Sequence, residues 1–139
     1  MDESSLVAQV EEKTGRVFTK TPLFNGYGYD VDNNNRIVRI SLTSLNVEIF
    51  EEIVSILPDF LYLKELSLTR CEIADVSLLG KLKNLSILNL ERNRIQNIEA
   101  LKYLTNLENL NLAENQITDI RALEHLTKLS ELDLYNNKI

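Results

Sequence analysis

One apolar pattern returns at a fixed step along the second half of this chain, and that step restricts the fold more than any other feature. Leu63-x-x-Leu66-x-Leu68-x-x-Cys71-x-Ile73 is followed by Leu85-x-x-Leu88-x-Leu90-x-x-Asn93-x-Ile95, by Leu107-x-x-Leu110-x-Leu112-x-x-Asn115-x-Ile117, and by Leu129-x-x-Leu132-x-Leu134-x-x-Asn137-x-Ile139. The leading leucines are 22 residues apart each time (85 − 63, 107 − 85, 129 − 107). A period of about 20 to 29 residues on this template marks a small unit that stacks on copies of itself. One unit cannot enclose a core, so stability must come from its neighbours.

Ile37-x-x-Ile40-x-Leu42-x-x-Leu45-x-Val47 repeats the template once more, but Ile37 precedes Leu63 by 26 residues. The four extra residues fall between Val47 and Leu57, where Ile49, Phe50, Ile53, Ile56 and Leu57 recur at helical spacing, Glu51 and Glu52 face out, and Pro58 closes the run. The spacing predicts a true helix behind the first repeat. The later backs are written Ile95-x-x-Ile98-x-x-Leu101-x-x-Leu104 and Ile117, Ile120, Leu123, Leu126. A period of three fits 3₁₀ turns or one short helix.

Upstream, Ser4 or Ser5 can cap a helix that carries Leu6, Val7 and Val10 on one face, with Gly15 as its C-terminal stop. Thr21-Pro22 breaks regularity. Gly26 to Val31 alternates with Tyr27 and Tyr29 on one side, Asp32 to Asn35 is a turn, and Arg36 to Leu42 can return as the second arm of a hairpin. Two segments are therefore expected: residues 1–35 as an N-terminal helix and capping segment, and residues 36–139 as five stacked repeats.

Neighbouring residues of a strand point to opposite faces, so Leu88 and Leu90 enter the core while Ile87, Asn89 and Glu91 face the other way. Stacking sets the strands side by side in a parallel sheet whose outer positions line a concave wall. Its columns are Arg39, Glu65, Ile87, Asn109, Glu131; Ser41, Ser67, Asn89, Asn111, Asp133; Thr43, Thr69, Glu91, Ala113, Tyr135; and, at the strand exits, Ser44, Arg70, Arg92, Glu114, Asn136. The wall is mixed in charge. Arg70 and Arg92 adjoin in one column, and Ile87 and Tyr135 are large side chains on an exposed sheet position, residue types enriched in interface cores. Asn93, Asn115 and Asn137 sit where the chain turns inward, so their amides must bond to turn backbone groups. Cys71 shares that column and is expected to be a turn residue.

Leu104-Thr105-Asn106-Leu107 through Asn115-Gln116-Ile117-Thr118-Asp119-Ile120 resembles the 22-residue class of leucine-rich repeat found in the protein-phosphatase-regulator family and in the bacterial internalins. The likeness extends over Ile37 to Ile139. It implies an α/β fold, a right-handed leucine-rich repeat solenoid with a curved parallel sheet behind an N-terminal helix and hairpin-like cap. Internalins imply a secreted surface receptor, although Arg121-Ala122 stands where their repeats usually carry proline. The phosphatase regulators imply an intracellular protein partner, and the repeat segment of bacterial Roco-type proteins implies a neighbouring GTPase domain.

Composition narrows the classes. A formal charge of −6 opposes both nucleic acid and anionic lipid as partners. The acidic start Met1-Asp2-Glu3 and the lack of a long apolar run point away from secretion and membrane anchoring. One cysteine allows no internal disulfide and suits the cytoplasm. Cys71 and His125, the single histidine, lie 54 residues apart and make no zinc motif. Gly26-x-Gly28 and Gly80-Lys81 lack the rest of a nucleotide fingerprint. Asp30-x-Asp32-x-Asn34 starts like a calcium loop but has Asn35 and Ser41 where glycine and a bidentate glutamate belong. No catalytic site and no cofactor or metal site are expected.

The expectation is a non-enzymatic module that binds a protein or peptide on its concave wall through Arg39, Glu65, Arg70, Ile87, Asn89, Glu91, Arg92, Asn109, Asn111, Glu131, Asp133 and Tyr135. It would belong to a larger signalling protein. The alternative is a spacer or dimerisation element beside a catalytic domain. The last repeat stops at Ile139 after its strand and turn, so Leu132, Leu134 and Ile139 are expected to be partly uncovered and to invite self-association.

Overall fold

The computed structural model describes residues 3–20 and 27–139. Helix α1 spans Glu3–Thr14, followed by strands β1 (Thr19–Lys20), β2 (Gly28–Val31) and β3 (Ile37–Thr43). Helix α2 (Val47–Ile56) leads to β4 (Glu65–Thr69), β5 (Ile87–Asn89), β6 (Asn109–Asn111) and β7 (Glu131–Asp133), with a 3₁₀ turn in each connection. All seven strands form one sheet in chain order. From β3 to β7 every pairing is parallel, and each residue lies opposite its equivalent one repeat on. The sheet and its backs make the expected leucine-rich solenoid.

The alternation is the one that the template dictates. Leu66, Leu88 and Leu110 are buried, as are Leu68, Leu90 and Leu112 two residues later. Fully burying such a side chain is worth about 1.5 to 3 kcal/mol. These residues and the backs form a single continuous core. Its other wall follows from the period of three. The amide of Leu101 donates to Ile98, that of Leu104 to Leu101 and that of Leu107 to Leu104, all at 2.9 Å. The same chain of bonds links Ile120, Leu123, Leu126 and Leu129. Because a 3₁₀ turn eclipses residues three apart, the hydrogen-bonded residues are also the apolar ones.

The longer first connection forms α2 as expected, with Phe50, Ile53, Ile56 and Leu57 buried and Glu51 and Glu52 exposed. Asn46 caps it by accepting from the Ile49 amide at 2.9 Å, and Pro58 enters the 3₁₀ turn that ends it.

The asparagine column holds the repeats in register. Asn93 Oδ1 accepts from the Cys71 and Ile73 amides at 3.0 and 3.1 Å. Its Nδ2 donates to the carbonyls of Leu68 and Leu90, both at 2.8 Å. One side chain thus ties two successive repeats. Asn115 bonds in the same way to Ile95, Leu90 and Leu112, and Asn137 to Ile117, Leu112 and Leu134. Cys71 makes half of this pattern, its thiol donating to Leu42 O at 3.6 Å and Thr69 O at 3.3 Å. Burial pushes that thiol up from its ordinary value, which suits a turn residue and not a nucleophile.

At the front, α1 buries Leu6 and Val10, and Gly15 ends it at a positive φ of 64°. The helix begins earlier than expected. Ser4 and Ser5 lie within its first turn, so neither is its cap. The hairpin is present, β2 running antiparallel to β3, while Gly26 and Thr21-Pro22 fall outside the described residues. Tyr27 and Tyr29 both pack on Phe18, with ring centroids 5.5 and 5.1 Å apart. In the turn, Asp32 accepts from the Asn34 and Arg36 amides and from the Arg36 guanidinium at 2.5 Å. Its carboxylate is committed to closing the hairpin.

Asn93→Ala is expected to lower stability by about 3 kcal/mol or more, since it leaves two buried amides without acceptors. Asn137→Ala, at a half-buried site, should cost less. Urea unfolding of both variants checks the order.

Candidate functional site

The parallel register places the wall columns as straight rows. Arg39, Glu65, Ile87, Asn109 and Glu131 lie directly opposite one another in turn, and so do Ser41, Ser67, Asn89, Asn111 and Asp133. Beyond the strands the chain bends sharply at Ser44, Arg70, Arg92, Glu114 and Asn136, whose φ values run from 54° to 59°. A non-glycine residue in this left-handed region costs about 1 to 2 kcal/mol. Ladder bonds offset the cost: the amides of Ser44, Arg70, Arg92 and Glu114 donate to Thr69, Glu91, Ala113 and Tyr135 at 3.0, 3.2, 3.0 and 2.8 Å.

The second column has a structural duty that the sequence did not disclose. Oδ1 of Asn89, Asn111 and Asp133 accepts from the amide two residues on, Glu91, Ala113 and Tyr135, at 2.9 Å in each case. These side chains brace the bend from the wall side. Of the third column, Ala113 is buried and offers no surface, whereas Tyr135 is 74% exposed. Ile87 is 36% exposed at the centre of the sheet.

Most wall charges are neutralised by neighbours. Arg39 donates to Glu65 at 2.5 Å and lies 3.6 Å from Asp30. The bond to Glu65 holds its guanidinium above the ordinary value. Arg92 donates to Glu114 at 2.9 Å and lies 3.5 Å from Glu91, and this bond keeps the Glu114 carboxyl low. Asn109 donates to Glu131. Arg70 is exposed and enters no ion pair among the described residues.

Arg16, which lies outside the repeats, joins this wall. Its guanidinium donates to Thr43 O at 3.0 Å and Ser44 O at 3.4 Å. No spacing in the sequence could place it there, because it belongs to the cap and reaches the first strand exit only in the folded chain.

Two depressions adjoin on the wall. The larger, about 410 Å³, lies at the strand exits among Ser44, Ser67, Thr69, Arg70, Glu91 and Arg92. The smaller, about 190 Å³, lies over Arg39, Glu65, Ser67, Ile87, Asn89 and Asn109. His125 is on the back, 3.9 Å from Glu124, far from Cys71 in the repeat order. Among the described residues no cluster of histidine, cysteine, aspartate and glutamate could hold a metal ion, and no helix is long and apolar enough to cross a membrane.

Residues 83–139 match the Leucine rich repeat family model. No curated protein matches the chain in sequence. Among solved structures, a leucine-rich repeat protein of Leptospira interrogans is similar at a TM-score of 0.66 and 21% identity, over 98% of this chain and 34% of its own. The ectodomain of the receptor kinase SOBIR1 from Arabidopsis thaliana is similar at 0.65 and 19%, over 99% of this chain and 95% of its own. Internalin C2 from Listeria monocytogenes is similar at 0.54 and 22%, over 96% and 74%. At such identities the likeness is one of fold. The chain spans about a third of the Leptospira protein.

The ion pairs predict an acid-limb response. Glu114 and Glu99 lie below their ordinary 4.5 because Arg92 and Lys102 bond to them, and Asp119 is lowered from 3.8 to about 2 by Arg121. A carboxyl lower in the folded than in the unfolded chain stabilises the fold above its unfolded value and stops doing so as pH falls through its folded one. The urea midpoint should therefore hold from neutral pH to about 4.5 and fall from there toward about 2. Glu114→Gln is expected to make the upper part of that fall shallower.

Proposed function

Because the chain is a leucine-rich repeat protein, we propose that it is a non-catalytic module that binds a protein or peptide on its concave wall. Leucine-rich repeats generally serve protein–protein interaction, and the proteins that carry them are generally non-catalytic at the repeats. The observation that carries the reading is the open sheet face itself: Ile87 stands exposed in one of two contiguous depressions, and Tyr135 stands exposed farther along the face, after the last strand. Burying aromatic and aliphatic anchors of this kind supplies most of the energy of a typical interface. Around them, Arg39, Glu65, Arg70, Asn89, Glu91, Arg92, Asn109, Asn111, Glu131 and Asp133 would form the polar rim. Residues 1–35 serve in this reading as the front cap of the solenoid. A place within a larger signalling protein and a cytoplasmic setting belong to the same proposal, the latter supported by the free buried thiol of Cys71.

A second reading is favoured by one observation. Leu132 and Ile139, at and just after β7, are 43% and 62% exposed beside Tyr135. In that reading two copies meet along β7, and light scattering would show mass rising with concentration.

The Ile87→Asp/Tyr135→Ala double variant is expected to lose partner capture about tenfold or more, with capture unchanged in Leu78→Asp/Tyr103→Ala on the opposite side. Equal capture by both variants overturns the concave-wall reading.

A further inference from the structure

The strand-exit depression differs in kind from the rest of the wall. Elsewhere each arginine of the sheet face has an acidic neighbour: Arg39 has Glu65 and Asp30, and Arg92 has Glu114 and Glu91. At the first two exits the balance reverses. Arg70 lines the depression without an ion pair among the described residues. Arg16 is held against it from the cap by bonds to the carbonyls of Thr43 and Ser44, both of which line it. Arg16 also has no ion pair among the described residues, and its guanidinium lies 5.4 Å from the Tyr27 ring centroid.

Beside Arg70 the lining holds Arg92, Asn89 and a group of hydroxyls, with Arg16 adjoining it through the carbonyls of Thr43 and Ser44. Thr43, Ser44, Ser67 and Thr69 supply donors, and Glu91, the one carboxylate of the lining, faces Arg92 at 3.5 Å. Arg70 and Arg16, neither in an ion pair among the described residues, stand with Arg92 around this hollow and outnumber its one carboxylate, a local reversal of sign on a chain of formal charge −6. Guanidinium and hydroxyl donors converging on a hollow of about 410 Å³ match a planar or tetrahedral oxyanion. The left-handed backbone at Ser44 and Arg70 fixes where these side chains leave the sheet.

We infer that the strand-exit depression between Arg16 and Arg70 receives an anionic oxygen group, a carboxylate or a phosphate, carried by an extended peptide laid across the wall. This rests on the concave-wall reading and adds the chemistry of the partner's anchoring residue. The smaller depression over Ile87 would then take the neighbouring, less polar part of the same peptide.

The test is a titration followed by backbone amide shifts, with three blocked peptides that share one sequence and carry glutamate, phosphoserine or glutamine at the centre. The glutamate or the phosphoserine peptide is expected to move the amides of Ser44, Thr69 and Arg70, the stronger of the two identifying the group, and the glutamine peptide to bind about tenfold more weakly. Arg70→Asn, which removes the charge while keeping a residue that tolerates the left-handed backbone, should abolish the difference between the peptides. Arg16→Gln should reduce it. Arg94→Gln, outside the lining of the depression and paired with Glu72 at 3.0 Å, is the equal-charge control and should leave it intact. Equal binding of all three peptides, or a difference that survives Arg70→Asn, overturns the inference. If the three peptides instead shift Ile87 and Tyr135 alike, the anion site fails while the concave wall stands.

Discussion

The buried amide of the asparagine column is the interaction on which the rest of this solenoid depends. Leucine burial drives collapse, but it is non-directional and would tolerate repeats that slide past one another. Asn93 bonds simultaneously to Leu68, Cys71 and Ile73 of the preceding repeat and to Leu90 of its own. Slippage by one residue would leave those buried groups unsatisfied, at a cost that few apolar contacts could repay. Cys71 shows the minimum that the column needs. It keeps the donor to Leu42 and Thr69, and the first connection, the one that contains α2, is where the fuller amide is missing.

Register in turn makes the wall. Because each strand residue lies opposite its equivalent, side chains on the open face form columns, and each column is a row of charges or anchors about 5 Å apart. Such closeness decides the electrostatics. Glu114 is one strand from Arg92, so the two pair, and Glu65 is one strand from Arg39 with the same result. Arg70 stands between Ser44 and Arg92 in its column and enters no ion pair among the described residues. The charge pairing of the wall is therefore a consequence of which residue follows which at intervals of 26 and then 22.

The back explains why this curved arrangement closes. Apolar residues three apart donate to one another through the backbone, giving a narrow connection in the later repeats. The first connection, four residues longer, needs a full helix with its own cap at Asn46. That bulk sits beside α1, whose Leu6 and Val10 complete the core at the front. Arg16 leaves this same region for the wall, so the N-terminal segment both adds to the core and contributes to the open face.

How much of this was legible depends on how far each interaction reaches along the chain. The period of 22, the inward leucines, the outward columns and the helix behind the first repeat follow from residue type and spacing alone, because strand alternation and helical periodicity are local rules. The buried amides were legible as a requirement, though not their partners. Three features needed the folded chain. The left-handed bends at Ser44, Arg70 and Arg92 carry no glycine to announce them. The bracing by Asn89, Asn111 and Asp133 uses an oxygen that also fits a plain wall residue. Arg16 meets Thr43 and Ser44 across 27 and 28 residues of sequence, a contact set by the docking of the cap. Sequence by itself determined the architecture and the rows of the wall, since both are written in a repeat. Only the tertiary structure decided which charges in those rows are paired with neighbours, since pairing depends on distances between strands and the N-terminal segment that no spacing encodes.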